Sequence, residues 1–425
     1  MCSDSRILLL LLLLLSLVAP SSTHEQAKDG GVPTTKTTPR LEELRAQGSE
    51  ALFNLDYDVA RQRFTELNRL YPDDPIGPQM LATTLWLETL NRTRRLQAAI
   101  YSTQSFYAKP EDKPDPRLTQ DFSDLTREAT RLATSRLRLN PRDPQTLYVL
   151  GATESLKASF AATVERRFMA ALRYGSSGVD RHRDVIKLDP NFCDAELTIG
   201  MYAFIVGTLP LPARILAGIA GVRGSKKHGI QTLERVAKDG HWMRDDAKVL
   251  LIAIYKREKH FPKALALSRE LHHRYPRNYL LSLETADTLV SLAALDRQER
   301  RTKEAETLER EALDTFEKLL HKRSGAEAGA RALDLVHVRY DEALLLMNQP
   351  GRAAEQFLAA TAVRRADAGL VSRAHLLAAQ AFDVAGKRNE ALVEYRIVLS
   401  RPNVYDSHDQ ARRGLKRPYK GQTHK

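Results

Sequence analysis

The stretch KVLLIAIYKREKHFPKALALSRELHHRYP, Lys248 to Pro276, decides how this chain is read. Leu251 and Tyr255 stand at helical spacing in its first half, Ala264 and Leu271 in its second, and Pro276 closes it. The spacing predicts two amphipathic helices. The small Ala264 lets them approach closely, and the large residues fill the space between one pair and the next. Pro276 cannot continue a helix, because it lacks the amide and its ring collides with the preceding turn.

The same order recurs along the chain. Leu44 to Pro72 carries Gly48 in its first helix and Ala60, Phe64 and Leu67 in its second. His375 to Val398 carries Phe382, Ala391, Tyr395 and Val398. His337 to Ala360 is a degenerate copy with Ala353 and Phe357 in place, and Leu150-Gly151 occupies the first-helix position of another. Four punctuation marks separate the copies: Tyr71-Pro72-Asp73-Asp74-Pro75, Asn140-Pro141-Arg142-Asp143-Pro144, Asp189-Pro190-Asn191 and Tyr275-Pro276-Arg277-Asn278. In each, Pro ends one helix and Asp or Asn caps the next.

These residues resemble the tetratricopeptide repeat, a helix-turn-helix unit of about 34 residues. The resemblance implies an all-α, irregular solenoid of antiparallel helix pairs and a concave face for binding protein segments. Polar first-helix positions Asn54, Lys256, Arg257 and Gln380 are the groove candidates it suggests. The spacing is uneven, at 69 residues from Pro72 to Pro141 and 49 from Pro141 to Pro190. Several helices must therefore exceed the usual length. One is expected near Gln79 to Tyr107, followed by a Pro-rich loop Lys109 to Arg117 and a helix from Leu118. No mark falls between Pro276 and Asn348, so Asp296 to Lys318 is expected to form one long exposed helix laced with opposite charges.

The apolar run from Ile199 to Val222, with Arg214 its only charge, interrupts the repeats. Its length would span a bilayer, but Pro210 and Pro212 break it near the middle. A central apolar helical hairpin buried in the array is the expectation. The segment GMYAFIVGTLPLPARILAGIAGVRGSKKHGIQTLERVAKDG (200–240) also looks like part of a divergent eukaryotic repeat family linked to clearance of protein inclusions. Gly221, Gly224 and Gly229 have its glycine spacing; the likeness spans about forty residues, and no function is carried over from it.

The ends have their own character. Arg6 precedes Ile7 to Ala19, apolar or small throughout and including the unbroken run Leu8 to Leu15. Residues 1–21 are expected to be a signal peptide, cut after Ser21. Residues 22–39 form a polar linker that cannot bury a core, the array occupies 40–415, and a basic tail covers 416–425. The leader predicts export to the cell envelope or secretion. The formal charge is +12, and the last fifteen residues carry six basic side chains and no acid. Arg412, Arg413, Lys416, Arg417 and Lys420 are thus candidates for docking on an anionic membrane surface. Nucleic acid is the least expected partner of an exported chain. Beyond the leader's Cys2 the only thiol is Cys193, so no internal disulfide is expected.

Chemistry-bearing motifs are few. Gly224 is followed by Ser225 rather than Lys, and no Gly stands five residues before it, so the glycines are not a nucleotide loop. A helix start near Ser225 could instead hold an anionic group with Arg223, Lys226, Lys227 and His228. The twelve His show no metal spacing, and His182, flanked by Arg, is expected on the surface. Gly175-Ser176-Ser177-Gly178 is not a nucleophile elbow. No cofactor, metal or catalytic set is expected. The chain reads as a non-enzymatic scaffold that binds a protein partner, with a membrane-peripheral role as the alternative.

Overall fold

The structure, a computed structural model, describes residues 39–96, 114–209, 211, 214–215, 224–323, 333–363, 366–404 and 406–420. The expected signal peptide and most of the expected linker lie outside them. Seventeen α-helices are described, and no strand occurs among the described residues. They are α1 Pro39–Phe53, α2 Tyr57–Leu70, α3 Ile76–Arg92, α4 Pro116–Leu139, α5 Pro144–Phe160, α6 Phe168–Leu188, α7 Glu196–Gly207 and α8 Lys226–Asp239. The others are α9 Arg244–Arg257, α10 Phe261–Arg274, α11 Tyr279–Gln298, α12 Thr302–Arg323, α13 Leu333–Leu346, α14 Pro350–Thr361, α15 Ala368–Val384, α16 Arg388–Leu399 and α17 Ser407–Lys416. The chain forms two compact units, one from residues up to 89 and 113–254, the other from 90–112 and 255–425.

The four Pro marks do what their chemistry requires. The residue before each Pro is held in extended backbone by the ring that follows. Tyr71, Asn140, Asp189 and Tyr275 accordingly cap their helices at φ between −122° and −138°. Each then closes a tight turn, as in Asp74 N–H to Tyr71 O at 3.0 Å and Asn278 N–H to Tyr275 O at 3.0 Å. The next helix starts on a side-chain cap: Asp74 accepts from Ile76 N–H at 3.0 Å, Asp143 from Gln145 at 3.3 Å and Asn278 from Leu280 at 3.0 Å.

A second turn closes the helix pairs from within, and Pro has no part in it. One residue takes the left-handed conformation, and the next amide reaches back five residues. Asp56 N–H meets Ala51 O, His260 meets Tyr255 O, Arg301 meets Asp296 O, Gln349 meets Leu344 O and Lys387 meets Phe382 O, each at 2.8 Å. The left-handed residues are Leu55, Lys259, Arg300, Asn348 and Gly386, with φ from 56° to 76°. This six-residue closure satisfies the last carbonyls of the first helix and turns the chain back on itself.

Burial follows the repeat grammar. Ala60, Phe64, Leu67, Leu251, Tyr255, Ala264, Leu271, Ala353, Phe357, Ala391, Tyr395 and Val398 are all buried. In the first unit, Gly48 of α1 faces Phe64 of α2 so closely that a Cβ would enter the ring. α7 and α8 pack backbone to backbone: a Cβ on Gly229 would lie 2.7 Å from Gly200 O. In the second unit, α11 packs on α12, α13 on α14 and α15 on α16, and the first helices α11, α13 and α15 also neighbour one another.

Four expectations are corrected. α3 ends at Arg92 rather than near Tyr107, because Arg94 turns left-handed at φ 57° and Arg95 N–H returns to Leu90 O at 2.7 Å. Asp296 to Lys318 is two helices, broken at Arg300, with the Arg301 Nε donating to Asp296 at 3.0 Å. His182 is 2% exposed: its ring packs on Gly151, and its Nε2–H donates to Tyr148 O at 3.2 Å. Burial pushes that imidazole down to about 4, so it is neutral. Finally, the apolar run is not covered throughout. Gly200, Ala203, Phe204 and Val206 are buried, but Ile205, Leu211 and Ile215 are 47%, 59% and 55% exposed. Residues 210, 212–213 and 216–223 lie outside the described set.

A side chain in the left-handed region strains against the adjacent carbonyl, and Gly escapes that cost. Lys259→Gly and Arg300→Gly should each raise stability by about 0.5–1 kcal/mol, read from the urea midpoint, while Gly386→Ala should lower it by about 1 kcal/mol. Opposite signs would contradict the shared turn.

Candidate functional site

The first helices of the second unit carry a continuous row of charged side chains. Lys256, at the end of α9, donates to Glu284 of α11 at 2.6 Å. One helical turn on, Asp287 pairs with Arg339 of α13. Arg339 also holds Glu342 at 3.2 Å, and Glu342 is bonded by Arg373 of α15 at 2.6 Å. Further along α15, the Gln380 amide donates to Gln410 of α17 at 3.3 Å. Three positive and three negative groups thus meet across four helices, and the row is neutral as a whole.

Helix geometry explains the alignment. Counted back from the left-handed residue of its own pair, Glu342 and Gln380 both stand six positions before it, and Asp287 and Arg373 both thirteen. Seven residues are two turns, so these positions share one face. Side-chain exposure runs from 12% at Asp287 to 30% at Arg373, so the row is recessed yet reachable by solvent. Burial alone would push Glu284 up, but Lys256 and Arg339 outweigh it and hold its carboxyl below the usual range. Burial dominates at Asp287 and pushes it up against the pull of Arg339. For Arg339, burial is outweighed by Asp287, Glu342 and Glu284, which keep its guanidinium firmly charged.

Beside this row lies a different kind of group. Asp341, next to Glu342 on α13, is fully buried, and neither carboxyl oxygen has a hydrogen-bond partner among the described residues. Burial, with a smaller contribution from Glu342, pushes it up to about 9. A perturbed carboxyl in a cleft would suggest acid–base chemistry. Asp341 is sealed from solvent, so no substrate reaches it. Among the described residues no group of His, Cys, Asp or Glu is placed to hold a metal ion. Cys193 is half-buried, and burial followed by Glu196 pushes its thiol up to about 11, which disfavours the nucleophilic thiolate.

The residues singled out from the sequence are scattered. Lys256 belongs to the row and Gln380 extends it, while Arg257 is exposed at the end of α9. Asn54 is 4% exposed at the end of α1, where its amide donates to Glu50 O at 3.2 Å. Arg223 lies outside the described residues; Ser225 caps α8, accepting from His228 N–H at 3.3 Å. Lys227 and His228 are exposed and Lys226 is half-buried, its amide against Gly207 of α7. Arg412, Arg413, Lys416, Arg417 and Lys420 are all exposed. Their segment is anchored: Arg388 donates to Gly414 O at 2.7 Å and Tyr419 N–H to Asp383 at 2.8 Å. Glu284, Asp287, Arg339, Glu342 and Arg373 escaped sequence reading. Aligning the helices on their left-handed turns would have found them, but those turns carry Lys, Arg and Asn as well as Gly.

No family model matches the chain, and no curated protein matches its sequence. Several solved structures are similar. A human IFIT1 dimer with m7Gppp-AAAA aligns over 97% of this chain and 85% of its own, at 11% identity and a TM-score of 0.47. Yeast Tom70 aligns over 88% and 95%, at 12% identity and 0.36. A thermophilic TPR protein from Thermus thermophilus aligns over 59% and 99%, at 16% identity and 0.32. The tetratricopeptide-like character of this chain rests on its own turns and helix packing.

Removing Arg339 strands the recessed carboxylate of Asp287 and leaves Glu342 to Arg373 alone. Arg339→Met should destabilise the chain by about 3 kcal/mol, and the double variant with Asp287→Leu should recover part of that loss. Asp341 is neutral in the fold and ionised when unfolded at neutral pH. Its contribution is therefore most favourable below about pH 4 and declines as pH rises toward 9. Asp341→Asn should flatten that slope and stabilise the chain at pH 8 by on the order of 3 kcal/mol, measured by urea unfolding across pH.

Proposed function

We propose that the chain is a non-enzymatic scaffold whose charge row, from Lys256 to Arg373, binds an extended segment of a partner protein. The row carries this reading. It is continuous over four helices, recessed, solvent-reachable and internally neutral. A neutral row of mixed sign suits a partner segment that itself carries both signs, exchanging internal pairs for intermolecular ones. The export reading of residues 1–21 supports an envelope or secreted location, tested by sequencing the mature N-terminus, which should begin at Ser22.

The ends of the row are the place to intervene, since Lys256 and Arg373 are more exposed than its centre. Lys256→Glu with Arg373→Glu should leave the helical content unchanged. It should weaken partner capture about tenfold at low salt, with the difference shrinking as ionic strength rises. Undiminished capture by the folded double variant would count against the row as the binding surface.

A second reading is favoured by one observation, the exposure of Ile205, Leu211 and Ile215 in a unit that also exposes Lys227 and His228. Apolar side chains together with cations suit shallow insertion into an anionic bilayer, and the basic segment 412–420 would add attraction. Among the described residues no helix is long and apolar enough to cross a membrane. Flotation with anionic liposomes, lost on Leu211→Glu with Ile215→Glu, is the expected outcome of this reading. Flotation that persists in that variant and after removal of 412–425 would exclude it.

A further inference from the structure

The first unit contains a buried cation with nothing to bind. Arg45, on α1, is 6% exposed, and its guanidinium lies 3.9 Å from the ring centroid of Trp242. Among the described residues it makes no hydrogen bond and no ion pair. Burying a guanidinium is costly unless its N–H groups find acceptors. Its nitrogens are not among the sealed orphan atoms of the chain, so solvent reaches them.

Other donors lie nearby. Tyr148 of α5 is 4% exposed, and its hydroxyl has no partner among the described residues, nor is it sealed. Tyr148 and Arg45 are close enough for each to act on the other's charge. The Trp242 ring N–H likewise has no acceptor among the described residues. The ring is further stacked by His241 at 4.6 Å, which holds its plane beneath the guanidinium.

Three of the acids nearby are engaged elsewhere. Asp194 accepts the amides of His241 at 2.9 Å, Trp242 at 3.0 Å and Met243 at 3.0 Å, closing the N-terminal end of α9. Asp74 pairs with Arg136 at 2.8 Å while capping α3, and Asp245 pairs with Lys248 at 3.4 Å. Glu42 is half-buried on the same helix as Arg45 and acts on it without contact. Asp246 is the remaining carboxyl. Burial, then Asp245, push it up to about 7, which favours its acid form. The surroundings of Arg45 therefore offer a charged fork and neutral donors, with Asp194 and Asp74 held by other partners and Glu42 the carboxylate on its own helix.

We propose that the surroundings of Arg45 form an oxyanion-binding site, with Arg45 as the bidentate anchor held on Trp242 and Tyr148 as a second donor. A carboxylate or a phosphate presents the paired oxygens that a fixed guanidinium fork matches. The site lies within the first unit and does not depend on the charge row of the second.

Calorimetric titration of the full mature chain tests it with three probes: inorganic phosphate, an acetylated peptide with a free C-terminal carboxylate, and the same peptide amidated. Saturable binding of phosphate alone assigns a phosphate site, and binding of the free-acid peptide but not the amide assigns a carboxylate site. In either case Arg45→Lys, which keeps the charge but loses the fork, should weaken binding by about tenfold. Tyr148→Phe keeps the ring packing and should weaken it severalfold, which preserves the test if the Arg45 variant does not fold. Binding of none of the probes, or binding unchanged in both variants, overturns the proposal.

Discussion

A single backbone closure underlies the arrangement of these helices. At five helix-to-helix turns the amide after a left-handed residue reaches back to the carbonyl five positions earlier, always at 2.8 Å. That bond sets where the first helix stops and the direction in which the second leaves. Once the pairs are set, α11, α13 and α15 become neighbours in the second unit, although long stretches of sequence separate them. The side chains at matching registers before each turn then face one another. The charge row is a consequence: Asp287, Arg339, Glu342 and Arg373 meet because their helices end in the same way.

The two units use polar groups differently. In the second, charge is matched by charge, and Arg339 gains from Asp287 and Glu342 more than burial costs it. In the first, Arg45 stands on an aromatic face without an acceptor, while Asp194 is satisfied by three backbone amides. A matched row contributes to stability and register. A cation left without acceptors costs stability, and such costs persist at sites that do something else. Asp341 shows the limit of that inference. It too is costly, but its seal against solvent leaves it no ligand to meet.

The helix pairs were legible because Pro and small residues have few uses. Pro72, Pro141, Pro190 and Pro276 end helices by covalent necessity, and Ala60, Ala264 and Ala391 sit where two backbones approach. The breaks at Arg94 and Arg300 were not legible, since Arg at a left-handed position looks like any surface Arg on a charged helix. His182 was misread for a related reason. Its Arg neighbours in sequence point elsewhere on the helix, while His182 itself fills the space that Gly151 leaves. Of the charge row and its extension, the resemblance to the repeat picked out Lys256 and Gln380. Their partners are ordinary charged residues that become a site only when four helices align.

The claim that the row from Lys256 to Arg373 receives the partner is tested most directly by crosslinking mass spectrometry on the native protein. The account predicts partner crosslinks concentrated on reactive side chains beside the row, from Lys256 to the end of α15 in the second unit. Crosslinks confined to the first unit or to the segment beyond Ser407 would contradict it.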